Sequence, residues 1–343
     1  MTDKMMIQEA IVKLSDRKNL TQEEAGRCID EIMSGTASQP QTAAFLMGLA
    51  VKGETTEEIA ACAESMRAHA TRFHHDADVM EIVGTGGDRS NTFNISTTSA
   101  LVTAAGGVKV TKHGNRAASS KCGAADVLES LGVNIMLEPE HMERVFDETD
   151  IAFMHAQVYH RSMQYVAPVR RALGCHTVFN ILGPLTNPAF NNMQIMGVYS
   201  DHLLIPMAEV LMMLGVRDGM VVFGNDVIDE VSMSDSTSIC EFHDGAYECY
   251  QVKPEDFGFE RCEKKDLAGR GPEENAEIVR SILSAQDRSC RRQAVQLNAG
   301  AALYIAGKAG SYREGVRLAG EIIDSGAAER KLQQFIRLTN RTA

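Results

Sequence analysis

Along the first seventy residues, apolar side chains recur at helical intervals. Ile7, Ile11 and Leu14 share one helical face, and two capping signatures, Thr21 with Glu24 and Thr55 with Glu58, mark further helix starts. Gly35 and Gly53 stand where such helices should stop. From residue 76 the pattern changes. Val79, Met80, Ile82 and Val83 form a short apolar run that ends in glycines. The spacing then predicts a helix capped by Asn94 or Ser96 and reaching Ala105, a strand at 108–111 and a helix at 124–131 stopped by Gly132. A strand at 133–137, a helix entered at Pro139 and a strand at 151–154 follow. Beyond them the pattern predicts a strand at 193–199, a helix at 202–214, a strand at 219–223 and shorter strand-like pieces as far as Val252. Helices at 273–284, 292–306 and 313–323 close the series, with Val279, Ile282 and Leu283 on an apolar face.

Strands alternating with helices predict an α/β fold with a mostly parallel central sheet covered by helices. A small all-helical N-terminal domain, residues 1–73, precedes a larger α/β domain, residues 74–343, across the polar stretch that holds His74, His75, Asp76 and Asp78.

Composition narrows the function classes. A net charge of −12 and a pI near 5.4 over 343 residues repel a phosphate backbone, so no nucleic-acid partner is expected and any anion site must be local. No apolar run approaches the roughly 18 residues needed to span a bilayer, so no membrane partner is expected. The opening ten residues carry no basic and apolar signal pattern, and the eight cysteines are scattered without a C-x-x-C pair. A cytoplasmic location with reduced thiols is the expectation.

Four segments carry chemistry. The first is Val83-Gly84-Thr85-Gly86-Gly87-Asp88, with Asn94-Ile95-Ser96-Thr97 ahead of a helix. Glycines let backbone N–H groups turn onto an anion, and a helix N-terminus adds donors. Arg89 stands where the third glycine of a dinucleotide fingerprint belongs, and no P-loop lysine is present. A tight turn using glycine only for its backbone angles stays open as the plainer reading. The second segment runs from Lys112 to Lys121 and gathers three cations and two hydroxyls at the end of a strand, which suits a multi-phosphate ligand better than a solvated loop. Third, Asp229 and Glu230 are adjacent. In an irregular loop both could face magnesium, whereas in a strand they would point apart, and paired surface acids are common. The fourth comprises Arg170 and the Thr177–Pro188 stretch, where a guanidinium able to pair with a carboxylate precedes Gly-Pro and Asn-Pro punctuation.

Together these segments resemble the anthranilate phosphoribosyltransferase family nearly end to end, through G-T-G-G-D, N-I-S-T, K-H-G-N-R-A-x-S-S, F-N-x-L-G-P-L-x-N-P and the D-E pair. The resemblance implies transfer of a phosphoribosyl group from 5-phosphoribosyl 1-diphosphate to anthranilate, a step of tryptophan biosynthesis. It also implies an insertion at about 163–188 that joins the helical domain, a homodimer through the helical domains and catalysis between the two domains. Carried over, the donor would be held by Gly84, Gly87, Asp88, Thr92, Asn94, Ile95, Ser96 and Thr97. Lys112, His113, Gly114, Asn115, Arg116, Ala117, Ala118, Ser119, Ser120 and Ala124 would complete that site. Anthranilate would meet Gly84, Asn115 and Arg170, while Ser96, Asp229 and Glu230 would hold two magnesium ions.

The family's usual pattern has serines at Cys122 and Ala124 and an arginine at His176, and Met154-His155-Ala156-Gln157 is also atypical. One lost neutral hydroxyl contact costs on the order of 1 kcal/mol, a several-fold affinity change. No catalytic acid or base is expected, because an aromatic amine is already a free base near neutral pH. Electrostatic stabilisation and positioning carry the rate. A related phosphoribosyltransferase or nucleoside phosphorylase with another acceptor, and a non-catalytic paralogue, are the competing readings. The phosphorylase should lack Arg170 or the segment from Asn180 to Pro188, and the paralogue should lack the Asp229-Glu230 pair.

Overall fold

A computed structural model describes residues 6–117 and 121–341; residues 1–5, 118–120 and 342–343 lie outside the described residues. Helices α1 (Met6–Ser15), α2 (Gln22–Met33), α3 (Gln39–Lys52) and α4 (Thr56–Ala68) form an N-terminal bundle. Both expected capping boxes form. Thr21 Oγ1 accepts from the Glu24 N–H at 3.2 Å while the Glu24 carboxylate accepts from the Thr21 N–H, and Thr55 and Glu58 repeat the arrangement. A third box, Ser38 with Gln41, starts α3, with glutamine in the place of glutamate. Glu58 also accepts from the Leu20 N–H and pairs with Lys52 at 2.7 Å, the two side chains being 0% and 4% exposed.

Among the described residues one seven-stranded sheet has the order β3-β2-β1-β4-β5-β6-β7. Its strands are β1 (Met80–Gly84), β2 (Val110–Gly114), β3 (Ile151–His155), β4 (Met193–Gly197), β5 (Asp218–Gly224), β6 (Thr237–His243) and β7 (Ala246–Val252). The first five run parallel, and β6 and β7 add an antiparallel hairpin at one edge. The chain leaves β1 towards β2, yet β4 sits on the other side of β1. Strand order therefore reverses between β1 and β4, which opens a crevice beyond their carboxyl ends.

Helices α5 (Ile95–Ala105), α6 (Ala124–Leu131), α7 (Pro139–Thr149) and α8 (Ala156–Tyr159) follow the first three strands, and α9 (Ala167–Leu173), α10 (Phe179–Leu182) and α11 (Leu204–Met213) flank β4. The C-terminal helices are α12 (Pro272–Leu283), α13 (Cys290–Ile305), α14 (Tyr312–Asp324) and α15 (Ala327–Thr339). One core joins α5 and α13 to the sheet through Ile82, Val102, Val110 and Leu297. The second runs from Ile29, Phe45 and Leu49 in the bundle through Val169 and Leu182 to Val198, Val210 and Val221 around α11 and the other sheet face. The 166–185 stretch thus packs with the bundle because its apolar side chains complete the same core. Among the described residues no helix is long and apolar enough to cross a membrane.

Three expectations fail locally. Residues 133–137 form turns instead of a strand: the Asn134 side chain accepts from the Met136 N–H, its own N–H goes to Thr339 Oγ1, and Val133 and Ile135 are buried without sheet pairing. The apolar positions Val133 and Ile135 record burial, not extension. The helical tail also continues past 323 into α15, whose Thr339 supplies that contact. In addition, β2 extends through Gly114, so Lys112 and His113 are strand residues at 3% and 7% exposure.

Replacing Glu58 with Ala leaves the Lys52 ammonium buried without its counter-charge and two backbone N–H groups without an acceptor. The expected loss of stability is about 3–5 kcal/mol, read from equilibrium urea denaturation followed by circular dichroism; a loss under about 1 kcal/mol would show that the pair is effectively solvated.

Candidate active site

The glycine loop and the acidic pair meet at the strand seam. Gly84 ends β1 and Gly197 ends β4, and the two are register partners. A Cβ on Gly84 would overlap the Asp229 carboxylate, and one on Gly197 would overlap the Asp229 backbone. Both strands must end without a side chain for Asp229 to reach across them. Past Gly84 the chain is held by Thr85 N–H to Gly197 C=O at 2.9 Å. Gly86 and Gly87 take φ values of +66° and +79°, a region that glycine enters freely. The Gly86 N–H donates to Asp229 Oδ2 at 2.6 Å.

Asp229 and Glu230 lie in irregular chain after β5, and their carboxylates reach the glycine loop and the start of α5. Asp88 accepts from the Asp229 N–H at 3.4 Å, and Glu230 accepts from the Ser96 N–H at the start of α5 at 3.0 Å. Burial pushes the Asp229 carboxyl up to about 7, helped by the nearby Asp88 charge. Glu230 is pushed up to about 8 by burial and then by Asp229, while Lys112 and the Ser96 N–H pull it down. Lys112 is the cation facing this group. Its ammonium donates to the Ile82 carbonyl at 2.6 Å and to Ser96 Oγ at 3.5 Å. Burial lowers its pKa, and Glu81, Glu230 and Asp229 oppose that shift. Three carboxylates against one ammonium, with the Ser96 hydroxyl beside them, form a hard-oxygen donor set short of positive charge.

The start of α5 is more crowded than its sequence implies. Asn94 makes no side-chain cap; its Nδ2 donates to the Cys122 carbonyl at 3.2 Å, and its Oδ1 accepts from Asn275 at 2.9 Å. Ile95 and Thr97 are buried. Thr92 bridges to Ala268, so the loop's tail runs beside residues 267–269.

The basic segment divides. The His113 N–H donates to Glu81, and its ring Nδ1–H to the Gly183 carbonyl at 3.2 Å. The ring lies 4.8 Å from that of His160, and burial holds both well below the usual histidine range, His160 at about 4, so neither is charged at neutral pH. Arg116 pairs with helix α6 instead of the seam acids, its guanidinium bound by Glu129 at 2.8 Å and Asp126 at 3.1 Å. Asp126 also accepts from the Ala117 and Gly123 N–H groups, and Asn115 C=O accepts from Ala125, which closes the turn. Ala124 packs close to Gly114, where an added Cβ would crowd it at 3.1 Å. Ala118, Ser119 and Ser120 lie outside the described residues.

Above the seam, α9 carries Arg170 half-buried, with its guanidinium over the Phe179 ring at 5.4 Å. Burial lowers its pKa, and among the described residues no acidic side chain pairs with it. His176 stacks edge-on against Tyr199 and lies over Gly87, where an added Cβ would sit 3.6 Å from its Cε1.

Sequence reasoning missed the residues that tie these parts together. Glu81, fully buried, accepts from the His113 N–H and from Asn187 Nδ2, and burial pushes it up to about 7 against the pull of Lys112. Asn187 also donates to the Thr111 carbonyl at 2.7 Å, and Gln194 to the Pro184 carbonyl at 2.9 Å, so the 183–188 segment is fastened to the sheet. The available signal was a carboxylate alone inside the apolar run from Val79 to Val83.

Residues 8–70 match the glycosyl transferase family, helical bundle domain, and residues 76–329 match the glycosyl transferase family, a/b domain. An anthranilate phosphoribosyltransferase from Methanobrevibacter smithii is 56% identical over 335 residues, covering 98% of this chain and 100% of its own length. The crystal structure of anthranilate phosphoribosyltransferase from Thermus thermophilus superimposes with a TM-score of 0.93 at 41% identity, over 98% of this chain and 100% of that one. The Saccharomyces cerevisiae enzyme in complex with PRPP and Mg gives 0.90 at 29% identity over 98% of each chain. With its helical bundle, its glycine loop and its sequence matched along nearly the whole length, the chain belongs to the anthranilate phosphoribosyltransferases of the glycosyl transferase family.

Proposed function

We propose that this enzyme transfers the 5-phosphoribosyl group of 5-phosphoribosyl 1-diphosphate to the amine of anthranilate. The products are N-(5-phosphoribosyl)anthranilate and diphosphate, in tryptophan biosynthesis. The observation that carries the reading is the seam itself: Asp88, Asp229 and Glu230 converge with Ser96 around one lysine at the glycine loop, while Arg170 on α9 has no acidic partner among the described residues.

Ser96, Asp229 and Glu230 fit magnesium through their oxygens and their excess negative charge, and two ions would balance them against the donor's phosphates. The chemistry magnesium supplies there is neutralisation of the departing diphosphate. The protein's own part is placement. Gly84, Gly87, Asp88, Thr92 and the Asn94 to Thr97 turn frame the donor, and Lys112 to Ala117 with Ala124 form its other wall. Arg116, tied to Asp126 and Glu129, shapes that wall. Arg170 receives the acceptor's carboxylate, with Asn115 and Gly84 on the other side of the ring. The amine forms its bond to C1 of the ribose as the bond to diphosphate breaks, and the ammonium proton passes to solvent. We further propose a homodimer joined through the helical domains.

Arg170→Ala should raise the anthranilate KM about 30- to 150-fold, the equivalent of about 2–3 kcal/mol for a lost charge-assisted pair, while the donor KM shifts less than about threefold. Equal losses for both substrates in steady-state kinetics would remove Arg170 from the acceptor site.

The pH dependence follows from the raised carboxyls. In the metal-free chain Asp229 and Glu230 favour their neutral forms, so their contribution to stability is complete below about pH 4 and is lost as pH rises through about 7 to 8. Magnesium needs the ionised forms. Magnesium affinity, measured by titration with donor present, should therefore tighten from pH 6 to pH 8, approaching about tenfold per unit where one proton is displaced; an Asp229→Asn, Glu230→Gln double variant should lose both the slope and the rate. A flat profile in the wild type would place the ions elsewhere.

A further inference from the structure

Away from the acidic seam, the described residues bring two sulfurs and a carboxylate together beside residues 267–269. The ligand atoms of Cys262, Asp266 and Cys290 all lie within 4.8 Å of one another. They come from three pieces of chain: an irregular stretch, the short 3-10 turn Lys264–Leu267, and the first position of α13 after its Ser289 cap. We propose that this cluster is a binding site for a soft d10 cation of the zinc class, held by two thiolates and one carboxylate, with water at the open position.

The donor set selects that class. Thiolates favour zinc over magnesium, and the tetrahedral radius, about 2.3 Å to sulfur and 2.0–2.2 Å to oxygen, requires donor atoms about 3.3–3.8 Å apart. The present atoms lie within 4.8 Å of one another, about an ångström beyond that spacing. Cys262 and Cys290 are half-buried and Asp266 is exposed, so the fourth position faces solvent. Cys290 is fixed at the first position of the sixteen-residue α13, directly after its Ser289 cap. The neighbouring Arg291 fixes the geometry by donating to the Asp266 and Ala268 carbonyls at 2.9 and 3.3 Å. The Cys262 thiol is held in place by the Met233 carbonyl, which accepts from both its N–H and its Sγ. Burial and the nearby Cys290 push that thiol up to about 12, so coordination must displace its proton to solvent. A second cluster, Asp218 with His243 and Asp244, has no sulfur, and its Asp218 is ion-paired with Arg217 and His243, whereas among the described residues the Asp266 carboxylate holds only the Glu263 N–H at 3.1 Å.

The site also has a structural reach. Residues 267–269 lie along the tail of the glycine loop, with Phe93 N–H donating to Leu267 C=O at 2.9 Å and Gly269 N–H to Asn91 C=O at 2.8 Å. Met233 follows Glu230 by three residues. An ion there would pin the two stretches that back the crevice without entering it.

The test uses the full-length enzyme in phosphine reductant, with excess magnesium to fill the oxygen site, titrated with Co²⁺ as a spectroscopic stand-in for zinc and then with Zn²⁺. The wild type should bind one Co²⁺ per chain with a sulfur-to-cobalt charge-transfer band, release about two protons per ion, and lose the band when Zn²⁺ displaces the cobalt. Cys262→Ser and Cys290→Ser should each abolish the band while circular dichroism and magnesium-supported turnover stay at the wild-type level. Cys249→Ser should retain it. A band that survives both single substitutions, or a wild type with no stoichiometric band, would overturn the proposal.

Discussion

The crevice depends on one close approach, that of Asp229 to two strand ends that carry no side chain. Gly84 and Gly197 are register partners on β1 and β4, and the Asp229 loop lies across both where any Cβ would collide with it. That contact places a carboxylate at the point where strand order reverses. From there the loop's Gly86 N–H, the Ser96 N–H of α5 and the Asp88 carboxylate all fall within hydrogen-bonding reach of the Asp229-Glu230 pair. The glycine that ends β1 and the two that follow it therefore have two distinct tasks. Gly84 makes room for an acid, and Gly86 and Gly87 bend the chain around it.

Placing acids so densely has an electrostatic cost, and the structure meets it only in part. Lys112 is the cation in contact, buried within β2 and bonded to Ile82 and Ser96. His113 and His160 contribute no charge, and Arg116 spends its charge on Asp126 and Glu129. A chain of net charge −12 that concentrates carboxylates around one lysine is arranged for cations brought in with an anionic substrate. A glycine loop alone does not require that conclusion; the loop together with the uncompensated acids does.

Much of this was legible in the sequence. Long periodic segments and capping signatures located the bundle, the α/β alternation located the parallel sheet, and linear motifs located the glycine loop, the basic stretch and the acidic pair. Three things were not legible. Residues 133–137 show that a short apolar run does not distinguish burial from pairing. The orientation of Arg116 depends on Asp126 and Glu129, which reach it only because α6 turns back over the loop. Gly197 reads as an ordinary strand end until Asp229, thirty-two residues on, is seen to lie against it. Each of these depends on long-range packing, which local patterns do not encode.

Glu81 shows why the two halves of the crevice keep a fixed relation. Its carboxylate takes the His113 N–H on β2, next to Lys112, and the Asn187 side chain at the end of the segment that begins with Phe179. Phe179 in turn supports the Arg170 guanidinium. One buried acid thus refers the lysine side and the arginine side of the crevice to the same point in β1. Because it is fully buried, removing it would leave the Asn187 amide and the His113 N–H short of an acceptor and Lys112 short of a counter-charge, all in the low-dielectric interior. Surface charges could not hold that relation, since solvent would screen them and their side chains would wander. The position of a carboxylate in the middle of an apolar strand is therefore a consequence of the geometry the crevice needs, in which two groups on different elements must be held in one fixed relation.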